Sequence, residues 1–302
     1  MAVGCKSFKT FHRHWAKKYK TYLSSARHHR TKKPLGLATR DARLRHAKGL
    51  LKWLASQPGY KSRISFSDVE YFNNKAKDAR AAHAQRPAVY PSMEQCAHAF
   101  RNMPSDTDIQ RRDRAAFALL MLTGARDSAL AALRLQHVDL VERLIFQDGR
   151  TVNTKNAKTI ETWFLPVDEM YLTTFEEWVN ALRTVHLFGP ADAVFPKPKC
   201  ELIDSRFSFT KLSCEPYSNG QKINAVIKAA FSNVGLHPYH AHSFRRTLAL
   251  YGDSICQTRE AFKAWSQNIG HEHMATTISA YMPVSRERQR DLIRILSGKT
   301  DS

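Results

Sequence analysis

The last quarter of the chain places His242-Ser243-Phe244-Arg245 ahead of Gly270-His271, Thr276-Thr277 and Tyr281. An imidazole, a guanidinium, a second imidazole and a hydroxyl nucleophile, in that order, suit metal-free chemistry on a phosphodiester. Upstream, Thr123-Gly124-Ala125-Arg126 interrupts an apolar helix pattern and opens another, Asp127-Ser128-Ala129-Leu130 through Leu135. This sets Arg126 at a helix N-terminus, where unpaired N–H groups and the helix dipole favour anions. Between these blocks, Thr151 to Lys155 and Thr159 to Leu165 read as β-rich arms around Asn156-Ala157, with Lys155 and Lys158 beside the turn. A lysine at a hairpin tip can reach into a groove.

Cleaving a phosphodiester without a metal sets three tasks. The attacking oxygen must lose a proton, the extra negative charge of the transition state must be neutralised, and the departing oxygen must gain a proton. Two arginines can hold the non-bridging oxygens in bidentate contacts of about 1.5–3 kcal/mol each. A lysine can serve as the acid, because burial beside cations lowers its pKa from about 10.4. A tyrosine, with a pKa of about 10, needs a neighbouring base or the arginines themselves to activate it.

Taken together, Thr123-Gly124-Ala125-Arg126, Thr154-Lys155-Asn156-Ala157-Lys158, His242-Ser243-Phe244-Arg245, Gly270-His271 and Tyr281 resemble the catalytic motifs of the tyrosine recombinase (phage integrase) family, in that family's order. The resemblance spans residues 92–290, whereas the N-terminal part resembles the family's core-binding domain in size, position and charge. It implies that Tyr281 attacks the scissile phosphate to give a 3′-phosphotyrosyl link and a free 5′-hydroxyl. Arg126 and Arg245 would clamp the phosphate, His242 would act as base or proton shuttle, and His271 would donate a hydrogen bond. The general acid would be Lys155, with Lys158 as the alternative. Tyr281 stands ten residues after His271, one more than the commoner family spacing.

The same resemblance implies a tetramer acting on two double-stranded DNA sites of specific, inverted-repeat sequence. Strands would be exchanged through a Holliday junction, without metal, ATP or other cofactor and with accessory DNA-bending proteins as possible partners. Two rival readings use the same residues. One is a type IB topoisomerase-like enzyme that relaxes supercoils as a monomer, and the other is a catalytically silent DNA-binding protein of the same fold.

Composition points the same way. A formal charge of +20 calls for a polyanionic partner or an acidic membrane, and residues 1–50 hold 14 Lys/Arg against the single acid Asp41. No apolar run approaches ~18 residues, which argues against a membrane span. Met1 to Lys20 is basic and aromatic, without the apolar core of a secretory signal. The five cysteines are scattered, with no Cys-x-x-Cys pair, and read as reduced thiols of a cytoplasmic protein, to which the family resemblance adds association with the nucleoid. His237, His240, His242, His271 and His273 lack metal-site spacing or a cysteine partner.

The 302 residues suit two domains. Residues 1–86 are expected to form a helical DNA-binding domain, with Trp15, Tyr19, Tyr22 and Leu23 on one helical face, Leu50, Leu51 and Leu54 on another, and a third helix running from Phe66-Ser67-Asp68 toward Ala84. Residues 87–91 are a proline-marked linker. Residues 92–302 would form the catalytic domain, opening on a Ser92 N-cap with Glu94 close behind. Its fold is expected to be mainly α with a small β-sheet, with a loop from Gly189 to Asn219, Trp265 packed beneath the active site, and a last helix from Arg286 to Leu296.

Overall fold

The computed structural model describes residues 7–84, 89–147, 159–203, 206–270, 289–291 and 293. The chain forms two compact units, Met1–Ala88 and Val89–Ser302. Both are built mainly of helices, and the second adds small antiparallel sheets, which is the mixed fold class the sequence implies. Among the described residues no helix is long and apolar enough to cross a membrane.

The first unit holds α1 (His14–Ser25), α2 (Leu37–Ala55), α3 (Phe66–Val69) and α4 (Ala76–His83). Ala16 and Leu23 of α1 meet Leu44, Leu51 and Leu54 of α2 in a core completed by Val69 and Phe72. Tyr22 and Leu50, expected on the apolar faces, stay 38% and 47% exposed. The expected single helix toward Ala84 is broken. Ser65 caps only α3, accepting from Ser67 N, and a 3-10 turn over Glu70–Phe72 ends where Asn73 turns extended. Glu70 accepts from Lys48 at 2.6 Å and from Asn73 at 2.8 Å, and pairs with Lys52 at 3.0 Å. Those partners hold its carboxyl well below the ordinary range, at about 2. The turn is thus stapled to α2, and the Asn73-Asn74 side chains compete with continued helix.

In the second unit α6 (Asp108–Thr123) is the axle. It is buried without interruption from Ala115 to Thr123, which explains its long apolar run. Phe117 sits at its centre, 5.6 Å from Phe100 of α5 (Met93–Arg101), 6.5 Å from Tyr171 of α8 (Glu169–Thr184), 5.9 Å from Phe231 of α9 (Gln221–Ser232) and 5.0 Å from Phe244 of α10 (Ala241–Ile255). Helices with such different sequences are thereby held on one aromatic cluster, where tilted and edge contacts are favourable. Ser92 caps α5 as expected, but Gln95 rather than Glu94 returns the reciprocal bond, Ser92 N donating to Gln95 Oε1 at 3.0 Å.

The three-stranded sheet runs β1 (Val138–Asp139), β2 (Leu144–Gln147), β3 (Ile160–Trp163), antiparallel throughout. The arm expected from Thr159 to Leu165 contains β3, whose described partner is β2, with Leu144 opposite Trp163 and Gln147 opposite Ile160. The other arm, Thr151 to Lys155, lies outside the described residues.

The loop expected from Gly189 to Asn219 is instead largely an antiparallel ribbon, β4 (Pro196–Ile203) with β5 (Arg206–Pro216). Its prolines argued against strand, yet in a two-stranded ribbon both strands are edges, so Pro196 and Pro198 need no N–H, and the register shifts there. The ribbon is anchored to the axle by Arg112, 2% exposed, whose Nη1 donates to Pro196 O at 2.8 Å. The helix expected from Asp127 through Leu135 ends early. α7 covers only Asp127–Ala131, because Arg134 bridges to Ala193 and Leu135 N donates to Asp192 O at 3.0 Å.

Candidate active site

The Thr123-Gly124-Ala125-Arg126 turn has a specific local cause. Gly124 closes α6 in the left-handed region, φ 58°, with its N–H on Leu120 O at 2.8 Å. A Cβ there would also stand 3.2 Å from Leu248 and 3.4 Å from Ile269, so backbone conformation and neighbours both select glycine. The Thr123 hydroxyl, buried, donates to Leu119 O at 2.6 Å and accepts from Ala125 N at 3.2 Å. This fixes the chain leaving the helix, and Arg126 follows in extended conformation as the N-cap of α7. With only five residues, α7 has little dipole of its own, so the guanidinium charge must supply most of any attraction for an anion.

The second arginine comes from α10. His242 and Arg245 are i and i+3 there and share one side of the helix. Arg245 is 3% exposed and bridges two distant backbone carbonyls. Its Nη1 donates to Gly124 O at 2.8 Å and its Nη2 donates to Ile269 O. The carbonyl of the Arg126 turn and the end of α11 (Arg259–Asn268) are therefore tied through one side chain. Gly270, φ 80°, follows immediately, and a Cβ there would stand 3.6 Å from Arg245 Nη2.

Burial and the positive charges of Arg245 and then Arg126 hold the His242 imidazole below its ordinary pKa, with the Asp127 carboxylate partly opposing them. Both arginines and Asp127 thus lie within electrostatic reach of this ring, which keeps an exposed edge. At neutral pH the ring is uncharged and able to accept a proton. Its native pKa is depressed, so the unfolded chain binds more protons in the window just below pH ~6.5, and stability is lost as pH falls through it. Titration of the His242 ring by NMR is expected to give a midpoint below ~6.5, and a midpoint above it would contradict this electrostatic description.

Two asparagines brace the site, and the sequence reading missed both. Asn224 of α9 donates to the Asp127 carboxylate and accepts from Ala241 N at 3.0 Å. Asn268, at the end of α11, pairs with the backbone of β3 as a neighbouring strand would. Its Nδ2 donates to Trp163 O and its Oδ1 accepts from Trp163 N, each at 2.8 Å. Neither stands in a motif. Asn224 is flanked by Ile223, Val226 and Ile227, a polar residue in an apolar stretch, and that is the only signal it gives. Trp265 sits in the core as expected, its Nε1 donating to Leu248 O at 3.0 Å and its ring so close to Gly252 that a Cβ there would fall 2.3 Å from Nε1.

Of the expected site residues, the structure brings together Arg126, His242 and Arg245. Lys155, its alternative Lys158, His271 and Tyr281 lie outside the described residues, as does most of Arg286 to Leu296, of which residues 289–291 and 293 are helical.

Arg126, Arg245 and the His242 imidazole thus come from segments distant in the chain to one region of a mainly helical unit. The description of the phage integrase family matches residues 93–288, and the chain belongs to that family of tyrosine recombinases, enzymes that cleave and rejoin DNA. Among solved structures, the XerH site-specific recombinase bound to its palindromic difH substrate is similar at 16% identity with a TM-score of 0.60, over 96% of this chain and 74% of that one. The likeness shows the shared fold. A lambda integrase dimer bound to a COC′ core site is 14% identical with a TM-score of 0.47, over 90% of this chain and 95% of that one. The XerA recombinase is 15% identical with a TM-score of 0.46, over 96% and 91%. A comparison with curated proteins found no match.

Proposed function

We propose that this recombinase breaks and rejoins DNA at a specific, inverted-repeat site through a 3′-phosphotyrosyl intermediate, as a tetramer and without metal or ATP. In the cleavage step the Tyr281 hydroxyl oxygen bonds to the scissile phosphorus and the bond from phosphorus to the 5′-oxygen breaks. His242 takes the phenolic proton, directly or as a shuttle, and Lys155, or Lys158 in its place, gives a proton to the departing oxygen. Arg126 and Arg245 neutralise the non-bridging oxygens, and His271 donates a further hydrogen bond to the phosphate. The observation that carries this reading is Arg245 holding the carbonyl of Gly124, 121 residues away, which brings both arginine-bearing segments to one neutral imidazole.

The phosphotyrosyl bond keeps the energy of the bond it replaces, so the 5′-hydroxyl of a partner strand can reverse the attack. That property supports strand exchange rather than simple cutting. The basic helices of the first unit are proposed to contact DNA backbone and grooves, with affinity that falls steeply as salt rises. A cytoplasmic place on the nucleoid and help from accessory DNA-bending proteins belong to the same proposal.

The test begins by incubating the protein with sheared genomic DNA of its source organism, denaturing in SDS and sequencing the covalently held DNA. Two copies of the recovered site on one plasmid should then yield exchanged circles and Holliday junction intermediates. Relaxation of supercoils without junctions would favour the topoisomerase reading, and binding without any covalent adduct would favour a silent DNA-binding protein.

A further inference from the structure

We propose that Asn224 is a positioning residue that sets the spacing between the Arg126 turn and the face of α10 that carries His242 and Arg245. The inference rests on the recombinase reading. Two of the Asn224 side-chain bonds fall one residue from a site residue on either side, while Nδ2 also donates to Gly220 O at 3.4 Å. Nδ2 donates to the carboxylate of Asp127, next to Arg126, and Oδ1 accepts from the N–H of Ala241, next to His242. That N–H belongs to the first turn of α10 and has no partner within its own helix. The other Asp127 oxygen accepts from Ser128 N at 2.8 Å, so the carboxylate is held on both sides.

The amide can sit only one way round, because flipping it would set a donor against Ala241 N–H and an acceptor against a carboxylate. Gly220, the N-cap of α9, presses on the same residue. A Cβ there would fall 2.5 Å from Asp127 Cγ, so the turn has no slack toward α9. Asn224 is thus a two-sided spacer between segments that must clamp one phosphate, and misplacement by about 1 Å in such a clamp costs on the order of 10²-fold in rate.

Four proteins test it: wild type, Asn224→Asp, Asp127→Asn, and the exchanged pair Asp127→Asn with Asn224→Asp. Each is mixed with end-labelled sheared genomic DNA of the source organism. The plateau rate of covalent adduct formation at saturating protein is read separately from the protein concentration at half-saturation. Asn224→Asp sets two carboxylates against each other and is expected to slow the plateau rate about tenfold or more, with half-saturation moved less than about threefold. The exchanged pair restores a donor facing an acceptor and is expected to recover most of the rate, while thermal unfolding stays close to wild type. Three results overturn the role: Asn224→Asp reacting at the wild-type rate, the exchanged pair staying as slow as Asn224→Asp, or the rate falling while the half-saturation concentration rises and thermal stability is lost. Failure of the wild type itself to form adducts would instead overturn the recombinase reading on which the role rests.

Discussion

Tyr281→Phe protein is expected to bind DNA as tightly as wild type and to form no covalent adduct with it. The substitution removes one oxygen and keeps the ring, so apolar contacts and backbone preferences change little. The hydroxyl is the group that the proposed mechanism links covalently to phosphorus, and the arginines, which stay protonated, cannot take its place. Loss of a nucleophile costs on the order of 10⁴-fold or more. Adducts should therefore vanish from an SDS gel while the mobility shift of bound DNA persists at matched salt. Equal trapping by Tyr281→Phe would assign the nucleophile elsewhere in the chain.

Arg245→Lys should lose stability and rate together, and that joint loss separates it from the other arginine. The buried guanidinium of Arg245 donates to Gly124 O and to Ile269 O, carbonyls of two segments far apart in the chain. A lysine keeps the charge but not the planar fork that spans both, so one buried carbonyl is left without this donor at a cost of about 1–3 kcal/mol. Adduct formation is expected to fall by about 10²–10³, the usual loss when one preorganised donor to the transition state is removed. Arg126→Lys should show a comparable kinetic loss with little change in unfolding free energy, because Arg126 is half-exposed at the start of a short helix. Denaturant unfolding and single-turnover adduct formation on the same samples check both. Wild-type stability for Arg245→Lys would mean that its carbonyl contacts do not hold the site together.

The parts of this fold that could be read in advance are those where one residue type has one physical reason. Gly124 had to be glycine for its left-handed cap and its close neighbours, and it stood in a motif beside Arg126. The apolar run of α6 announced the buried axle, and the proline-marked segment ahead of Ser92 announced where α5 begins. Other features depended on partners that a linear pattern cannot supply. The β4–β5 ribbon hid behind Pro196 and Pro198, whose missing N–H groups matter only if another strand lies alongside. The Asp127 helix looked longer than it is, because the bridge from Arg134 to Ala193 that ends it crosses a long stretch of chain.

At the site, Arg126, His242 and Arg245 were legible through their order and chemistry. Asn224 and Asn268 were not, since each works through backbone groups of another element, and no motif marks a backbone N–H or C=O.

The most direct measurement is on the covalent adduct itself. Wild-type protein trapped on DNA, digested with nuclease and protease and analysed by mass spectrometry, should yield one peptide carrying a nucleotide linked at Tyr281 through a 3′-phosphate. A link at any other residue, a 5′-phosphate link, or the absence of a nucleotide-bearing peptide from DNA that the protein has demonstrably cut would contradict the assignment of Tyr281 as the nucleophile in strand cleavage and rejoining.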